Sequence, residues 1–464
     1  MTVAMGKDVK VNLPENELGI RETVDEAVKD AGKAFLVYRD MSFALRKNII
    51  ANIRTLLAGY NGMLAKMAVE ETGLGRVEDK MAKNTLVIEK TPGIEGRQYV
   101  PNSAYLGDYG VTFLNGAPYG VIGAVTPSTN PAATIINNSI TMLSAGNTVV
   151  FNTHPGAKNV SNTASMLVNK AALEAGCRTP LIFSIKNPTI ESSQQLMKHP
   201  DVKLLVVTGG PDVVRAAMSS GKKVIAAGPG NPPVIVDETA EIAQAAEYIV
   251  KGASFENNVL CIAEKEVFVV DSVADELISE MRKCRAYELY PAEVDKVTDL
   301  VFIDRDGQKA VNKRYVGKNA VIIARDAGID VQSDTKLLFG ATKHDHPLVQ
   351  HEQLMPVLPI VRVRDWKQAL EYALQAEHGF HHTFIMHSTN IERLIVTAKR
   401  VNTALFVENG HSLSSLGVEA EGYTSMTIAG PTGEGVTGPW SFVRQRRFVM
   451  RDSFRGALGS LAHG

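Results

Sequence analysis

The segment GVIGAV at positions 120–125, followed by TPSTNP at 126–131, decides the fold class of this chain. The apolar run predicts a buried strand, and helical periodicity begins directly after the polar turn. The same alternation recurs downstream. Strands are predicted at 147–151, 181–185, 202–207 and 223–227, and helices at 131–145, 157–175, 190–198 and 209–220. Short apolar strands separated by helices predict an α/β fold with a doubly wound parallel sheet, which binds ligands at the carboxyl ends of its strands.

The rest of the chain is organised around this sheet. Residues 1–20 are predicted to be a loose leader, and the region 21–228 a first domain that opens with helical periodicity up to about position 89. This domain includes a Tyr- and Val-rich hairpin at 97–118 that could reach out to another subunit. The breaker cluster GPGNPP at 228–233 predicts a hinge into a second α/β domain at 229–426.

The C-terminal region is predicted to hold a closing loop and an oligomerisation strand at 427–452, and then a tail at 453–464. The strand-like residues 440–450 have few core neighbours in sequence, so we expect them to pair elsewhere, with a dimer partner as one option. Phe454, Leu458 and Leu461 in the tail fall on one helical face. The tail is therefore either a weak targeting helix or a disordered end, because its glycines disfavour a helix.

Composition excludes several classes of protein. The chain has 464 residues, of which 45% are hydrophobic and 21% charged, as in a soluble globular protein of two or three domains. A formal net charge of -1 gives no global field for nucleic acid or an anionic membrane, and the basic run at 444–447 is typical of a solvated strand face. We find no signal peptide and no apolar run that could span a bilayer. The three cysteines form no CxxC pair, which indicates a reducing compartment.

The most informative residue is Cys261, in SFENNVLCIA at 254–263, before the strand-like run KEVFVV at 265–270. A lone cysteine after a nucleotide-binding half predicts a thiolate that attacks a carbonyl beside a nicotinamide. Such a site must lower the pKa of the thiol or supply a base. The alternative is a buried structural cysteine, which is favoured for a cysteine taken in isolation.

Two strand-to-helix turns are candidate ligand sites. Thr126, Pro127 and Ser128 lead to Asn130, whose amide either caps the next helix or donates to a developing oxyanion. The second turn contains two glycines that permit close backbone approach, and free N–H groups there would favour a phosphate. Its residues are Thr208, Gly209, Gly210 and Pro211.

Three other patterns are weaker. The sequence GEGVTG at 433–438 has the spacing of a dinucleotide fingerprint, but neither a strong strand nor a helix flanks it, so a loop is predicted. His344, His346 and His351 with their acidic neighbours fit no standard zinc spacing and are predicted to be solvated loop residues. The histidines at 378, 381, 382 and 387 are open to a catalytic, ligand or structural role, the last being expected for most of them.

Taken together, these pieces resemble the aldehyde dehydrogenase superfamily over about positions 24–450. Asn130 stands at the position of the family's oxyanion asparagine, and AGNTVV at 145–150 is similar to its Ala-Gly-Asn-Thr-Val-Val signature. Thr208, Gly209 and Gly210 match its phosphate turn, and Cys261 matches its nucleophile. EQLMPV, which begins at Glu352, resembles the motif whose glutamate contacts the nicotinamide ribose. The resemblance implies a dinucleotide-binding domain at 21–228, a catalytic domain at 229–426 and an oligomerisation hairpin.

The departures from this family are informative. AAGP at 226–229 stands where hydrolytic members have Glu-Leu-Gly-Gly, so the glutamate that activates water is replaced by Ala226. Asn152-Thr153-His154 replaces the segment whose lysine binds the adenosine ribose. Without a base, water is a poor acceptor for a thioester on Cys261. A thiol such as coenzyme A needs less help, because it is partly ionised near neutral pH and strongly nucleophilic.

The sequence is therefore most similar to the CoA-acylating branch, and specifically to the propionaldehyde and acetaldehyde dehydrogenases of bacterial microcompartments. The matching segments are PSTNP at 127–131, IINNS at 135–139, GPGNPP at 228–233, LCIAEK at 260–265 and PTGEG at 431–435. The resemblance implies that a short aldehyde, propionaldehyde before acetaldehyde, reacts with NAD⁺ and CoA to give acyl-CoA and NADH. It weakly favours NAD over NADP.

This hypothesis assigns a role to each candidate residue. Cys261 is the nucleophile, and its backbone N–H forms the oxyanion hole with Asn130. Cofactor contacts are assigned to Glu352 and to the two turns, Thr126, Pro127, Ser128, Thr208, Gly209, Gly210 and Pro211. We expect no metal, nucleic acid or membrane partner. We expect a homo-oligomer (a dimer or a dimer of dimers) in the bacterial cytoplasm, inside a microcompartment whose shell proteins are possible partners. The alternatives are a hydrolytic aldehyde dehydrogenase and a non-catalytic microcompartment scaffold.

Overall fold

The computed structural model describes residues 16–99, 102–305 and 307–453. Most of the predicted leader, and the tail with its candidate targeting helix beyond position 453, lie outside the described residues. The first strand and the three N-terminal helices are β1 (Ile20–Arg21), α1 (Val24–Tyr38), α2 (Phe43–Thr72) and α3 (Val77–Lys90). Thr23 and Glu26 form a capping box at the start of α1, and Gly73 ends α2 in the left-handed conformation.

The predicted hairpin follows as β2 (Ser103–Gly107) and β3 (Gly110–Pro118), which pair antiparallel. The predicted alternation of strands and helices is then confirmed. Its elements are β4 (Val121–Val125), α4 (Pro131–Ser144), β5 (Thr148–Asn152), α5 (Lys158–Glu174), β6 (Ile182–Ile185), α6 (Ile190–Lys198), β7 (Val202–Thr208), α7 (Pro211–Met218) and β8 (Val224–Ala227).

The six strands of this first sheet are all parallel, in the order β1-β6-β5-β4-β7-β8. Helices cover both faces, so the central strands are buried on both sides. This double burial explains why their sequences are continuously apolar instead of alternating. The order reverses next to β4, so the loop after β4 lies at the point where open α/β sheets bind ligands.

A second parallel sheet begins at Pro233, after the glycine- and proline-rich connection that starts at Gly228. It has seven strands in the order β11-β14-β15-β10-β9-β16-β17. The elements of this region are β9 (Pro233–Val236), α8 (Ile242–Ser254), β10 (Glu266–Val270), α9 (Asp271–Lys283), β11 (Ala286–Leu289), α10 (Pro291–Val301), β12 (Phe302–Arg305), β13 (Gln308–Val311), α11 (Ala320–Asp326), β14 (Leu337–Ala341), α12 (Pro347–Gln350), β15 (Val357–Val363), α13 (Trp366–Ala376), β16 (Thr383–His387), α14 (Ile391–Val401) and β17 (Leu405–Glu408).

The final strand does pair with a segment distant in sequence, as expected: it pairs over its whole length with β3 of the same chain. Together with β2 it completes a three-stranded sheet, because β3 offers a free edge once the chain has folded. The predicted loop at 433–438 contributes to a short hairpin and is followed by one 3-10 turn (Pro439–Phe442), not by an α-helix. The three strands are β18 (Ile428–Ala429), β19 (Gly435–Val436) and β20 (Val443–Arg451).

Among the helices that the structure describes, none combines the length and the apolar character needed to cross a membrane.

Candidate active site

The loop before β10 places Cys261 between the two sheets. The flanking side chains of Leu260, Ile262 and Ala263 are buried in the apolar cluster that contains α4 and α5 of the first sheet. Glu256, Asn257 and Asn258 precede the cysteine with φ angles of 51°, 53° and 64°. Successive left-handed residues other than glycine store strain, which persists only where the surroundings fix the backbone. The cysteine loop is therefore held in one shape by its contacts.

The thiol of Cys261 is surrounded by charges of both signs. Burial and the carboxylate of Glu352 raise the pKa of this thiol to about 12, while Lys265, its own backbone N–H and Lys83 act in the opposite direction. Lys265 lies under the loop and donates to the carbonyl oxygens of Asn258 and Leu260, each at 3.0 Å. The thiol of the free protein is therefore protonated at neutral pH, and its ionisation requires a base or an added positive charge.

Glu352, on the loop that leads into β15, also lies close to the cysteine loop. Its Oε1 accepts a hydrogen bond from the N–H of Gly230 at 3.4 Å, and burial raises its pKa to about 7. Gly230 belongs to the connection between the sheets. A methyl group on it would lie 2.7 Å from the carbonyl oxygen of Cys261 and 3.0 Å from Cγ of His382. Only a glycine allows these three segments to approach so closely.

The side chain of Asn130 is held by contacts other than a helix cap. Asn130 occupies the N-cap position of α4, but its side chain makes no capping hydrogen bond. Its Oδ1 instead accepts from Nζ of Lys83 at 2.5 Å, and its Nδ2 donates to Oγ1 of Thr129 at 3.2 Å. An ammonium group is only a donor, so Oδ1 must face Lys83 and the amide nitrogen must face away from it. The geometry thus leaves this amide as a donor.

The glycine turn after β7 is only partly as predicted. The N–H of Gly209 is not free, because it bonds to the carbonyl oxygen of Ala227 on β8 at 3.1 Å. A methyl group on Gly209 would meet Val213 at 2.7 Å, whereas Gly210 has open space around its Cα. Pro211 is the first residue of α7, whose first turn presents N–H groups without intrahelical partners. The free N–H groups at the start of α7, and not those of the two glycines, therefore form the candidate phosphate site.

Orphaned hydroxyls mark the same edge of the sheet. Oγ1 of Thr126 and Oγ1 of Thr208 are both buried without a hydrogen-bond partner in the described structure. Thr126 directly follows β4 and Thr208 is the last residue of β7, and these two strands are adjacent. Pro127 and Ser128 continue from Thr126 as a half-buried loop. Buried polar atoms without partners are rare in native proteins and point to a ligand. The residues therefore fit a dinucleotide along this edge.

The position of the missing base is closed by the C-terminal loop. The side chain of Ala226 lies in the apolar cluster that also contains Val207 and Val224. Its N–H donates to Oγ1 of Thr432 at 3.1 Å, and a methyl group on Gly228 would touch Pro431 at 3.1 Å. Protein atoms thus fill the space around Ala226.

Among the four histidines whose role the sequence left open, the structure brings His382 to the cysteine loop. His382 is fully buried, its Nδ1 lies 2.8 Å from Oγ1 of Thr383, and its Nε2 has no partner in the described structure. Burial lowers its pKa to about 4, so this histidine is neutral at neutral pH. Beneath the site, and not predicted from the sequence, lies a buried group of charges in which Lys80 and Lys83 of α3 both bond to Glu256. The sequence holds a signal for it, since lysines three positions apart share a helix face.

Two histidines of the 344–351 segment have structural contacts. The ring of His344 stacks on Tyr372 with centroids 4.0 Å apart, and Nδ1 of His346 accepts from the N–H of Leu348 at 3.2 Å. In the described ranges, the side chains of His, Cys, Asp and Glu form no group of three or more that could hold a metal ion.

Comparison with known proteins agrees with this geometry. Residues 13–425 match the Aldehyde dehydrogenase family. The acetylating acetaldehyde dehydrogenase EutE of Salmonella typhimurium is 46% identical over 443 residues, which cover 95% of this chain and 94% of that protein. A Rhodopseudomonas palustris propionaldehyde dehydrogenase, solved with bound CoA and an acylated cysteine, has a TM-score of 0.91 at 44% identity, covering 95% of this chain and 99% of that one.

A third relative is the propionaldehyde dehydrogenase of the Clostridium phytofermentans fucose utilisation bacterial microcompartment, solved as a histidine-to-alanine mutant. Its TM-score is 0.91 at 44% identity, and the match covers 94% of this chain and 99% of that one. The two parallel sheets, the cysteine between them and the matches over nearly the whole chain lead to one conclusion: this chain belongs to the aldehyde dehydrogenase family.

Proposed function

We propose that this protein is a CoA-acylating aldehyde dehydrogenase that converts a short aldehyde, NAD⁺ and CoA into acyl-CoA and NADH. Propionaldehyde is the preferred substrate in this proposal and acetaldehyde the next. The observation that carries it is the environment of Ala226, whose side chain lies in an apolar cluster and whose N–H is bonded by Thr432 of the C-terminal loop. A thioester on Cys261 therefore has no carboxylate at that position to activate water, and a thiol is the better acceptor.

The residues around the cysteine have complementary roles in the proposed reaction. The thiolate of Cys261 attacks the aldehyde carbon, and the amide of Asn130 with the backbone N–H of Cys261 stabilises the oxyanion. The dinucleotide lies along Thr126, Thr208 and the first turn of α7, and Glu352 binds its nicotinamide ribose. Bound NAD⁺ would supply the hydride acceptor, and the oxidised acyl group remains on Cys261 as a thioester.

His382 is the proposed acceptor of the thiol proton. The ring of His382 and the carbonyl oxygen of Cys261 both lie next to Gly230. The ring is neutral, and its Nε2 is unpartnered in the described structure. In the tautomer whose Nδ1 donates to Thr383, Nε2 is left as the proton acceptor. We assign His382 the proton of Cys261 in the first half-reaction, and this proton is released to solvent as the one H⁺ that accompanies NADH. In the second half-reaction His382 takes the proton of CoA and returns it to the Cys261 thiolate that leaves.

CoA and NAD⁺ are proposed to use one cleft in turn. Both carry an adenine nucleotide, and the first turn of α7 is the phosphate site that the fold offers at this edge. NADH would leave before CoA enters, which predicts ping-pong kinetics. A ternary complex with both molecules in separate sites would exclude this order.

The test is NADH formation from NAD⁺ and a series of aldehydes, with and without CoA. The proposal requires CoA-dependent turnover, a maximum at propionaldehyde, and an acyl adduct on the Cys261 peptide when CoA is omitted. Rapid steady-state acid formation without CoA would identify a hydrolytic enzyme. No turnover with any aldehyde, and no adduct, would favour a scaffold that has only kept the fold.

We also propose a homo-oligomer that assembles through the three-stranded sheet. Several large apolar side chains of this sheet are exposed to solvent: Tyr105, Leu106, Tyr109, Phe113, Phe448 and Val449. Contiguous exposed apolar surface is typical of an interface. Packaging in a bacterial microcompartment follows the microcompartment relative and remains part of this proposal. Light scattering of the protein with and without Phe113→Asp tests the interface, because a monomeric wild-type protein would contradict it.

A further inference from the structure

The charge group on α3 lies under the proposed active site without touching the reacting thiol. Lys80, Lys83 and Glu256 are at most 3% exposed, and both lysines bond to the same carboxylate. Arg76 and Asp79, one turn earlier, bond to the backbone around Glu256: Arg76 donates to the carbonyl oxygen of Ser254 at 2.8 Å, and Asp79 accepts from the N–H of Glu256 at 2.9 Å. One helix therefore holds the strained cysteine loop.

The two lysines differ in one contact. Lys80 donates to a backbone oxygen, the carbonyl of Thr129, at 3.1 Å. Lys83 donates to the side-chain oxygen of Asn130 at 2.5 Å. The burial of the two lysines and their shared carboxylate are otherwise matched. Lys83 also acts, against burial, to lower the pKa of the Cys261 thiol, so the comparison of the two lysines separates a general structural role from effects at the site, and a cycle with Asn130 isolates the effect on the amide.

We infer that Lys83 is a positioning residue, which fixes the Asn130 amide with its N–H group toward the reacting carbonyl and strengthens that donor. This inference rests on the proposed role of Asn130 as an oxyanion donor. Nothing else on the described protein bonds to Oδ1 of Asn130, and without Lys83 the amide can rotate its oxygen into the site.

Two physical effects support this role. An amide whose oxygen accepts from a buried cation is polarised, so its N–H becomes a stronger donor. A donor also stabilises an oxyanion fully only if it is oriented before the charge develops. Burial lowers the pKa of Lys83 to about 7. An amine and an ammonium both donate to Oδ1, so the orientation of the amide survives the loss of the Lys83 proton.

The experiment compares Lys83→Met with Lys80→Met as the matched control, in the complete enzyme with propionaldehyde, NAD⁺ and CoA. Both variants remove one buried cation from Glu256, so we expect similar losses of thermal stability. Lys83→Met should lower kcat about 10-fold, a fraction of the loss of a whole oxyanion donor, with the aldehyde KM nearly unchanged. Lys80→Met should keep kcat within about 2-fold of the wild type, since it does not touch the amide.

A double-mutant cycle with Asn130→Ala then tests whether Lys83 acts through the Asn130 amide. If Lys83 acts through Asn130, Lys83→Met should cost almost nothing in kcat once the amide is gone. Independent, multiplying losses would overturn the inference, as would equal kcat losses in the two lysine variants. If Asn130→Ala alone leaves kcat unchanged, the proposed function of Asn130 is wrong, which is a distinct result.

Lys83→Gln keeps the test decisive if the methionine variant fails to fold. Glutamine is neutral but retains an N–H donor for Oδ1 of Asn130. We expect it to keep most of the wild-type kcat. A folded Lys83→Gln protein with a loss of about 10-fold or more would overturn the orienting role.

Discussion

Gly230→Ala should damage catalysis much more than folding. Gly230 is buried where the connection between the sheets meets the cysteine loop, and its φ is not in the left-handed region, so alanine brings no backbone strain there. The new Cβ would lie 2.7 Å from the carbonyl oxygen of Cys261, whereas ordinary contacts are at 3.4–4 Å. The cysteine loop must therefore retreat by a large part of an ångström.

The size of the effect follows from this displacement. A misplacement of about 1 Å at a reacting group costs about 100-fold in rate, or roughly 3 kcal/mol in activation free energy. Overpacking of the site should lower the free energy of unfolding by about 1–3 kcal/mol. The same shift also disturbs the N–H that Gly230 donates to Glu352, so the KM for NAD⁺ should rise.

The assay is steady-state NADH formation with saturating aldehyde and CoA, together with thermal unfolding of the same preparation. Gly59→Ala is the control, since Gly59 is an exposed helical glycine with nothing within 4 Å of the added methyl group. It should raise stability by about 1 kcal/mol and leave kcat unchanged. A folded Gly230→Ala enzyme with wild-type kcat would refute the reasoning, because the cysteine loop would then tolerate the shift.

Three further predictions concern the nucleophile and the missing base. Cys261→Ala should abolish NADH formation, whereas Cys177→Ala and Cys284→Ala should retain it; CoA-dependent turnover in Cys261→Ala would contradict the assignment. Because the pKa of the Cys261 thiol is raised to about 12, iodoacetamide should alkylate it about 1000-fold more slowly at pH 8 than an unperturbed thiol. Glu352→Gln removes a negative charge that raises this pKa, so alkylation should become faster at pH 8. The gain should shrink below pH 6, where Glu352, with a pKa of about 7, is already protonated; an equal gain at both pH values would contradict the electrostatic cause. Ala226→Glu should destabilise the protein by several kcal/mol and should not create thioester hydrolysis, because the new carboxylate would lie in the apolar cluster that holds the Ala226 side chain. Acid production by that variant without CoA would show that the position is open to water.

Local sequence patterns are enough to predict the first parallel sheet and to single out Cys261 as the candidate nucleophile. Strands such as β4 and helices such as α6 are encoded by local periodicity, which depends only on neighbours within a few positions. The loop around Cys261 and the replacement of the family's glutamate by Ala226 are also visible in the sequence, because short segments carry the resemblance to the family.

Which side chains come into contact depends on the packing of the two sheets. Lys83 and Asn130 are 47 positions apart, and Lys83 and Glu256 are 173 apart, so no local pattern couples them. The same holds for β20, which pairs with β3 of its own chain, and for His382, which reaches the cysteine loop only at Gly230. Hydrogen bonds and desolvation depend on distances in space, and those distances are fixed only when both sheets are packed.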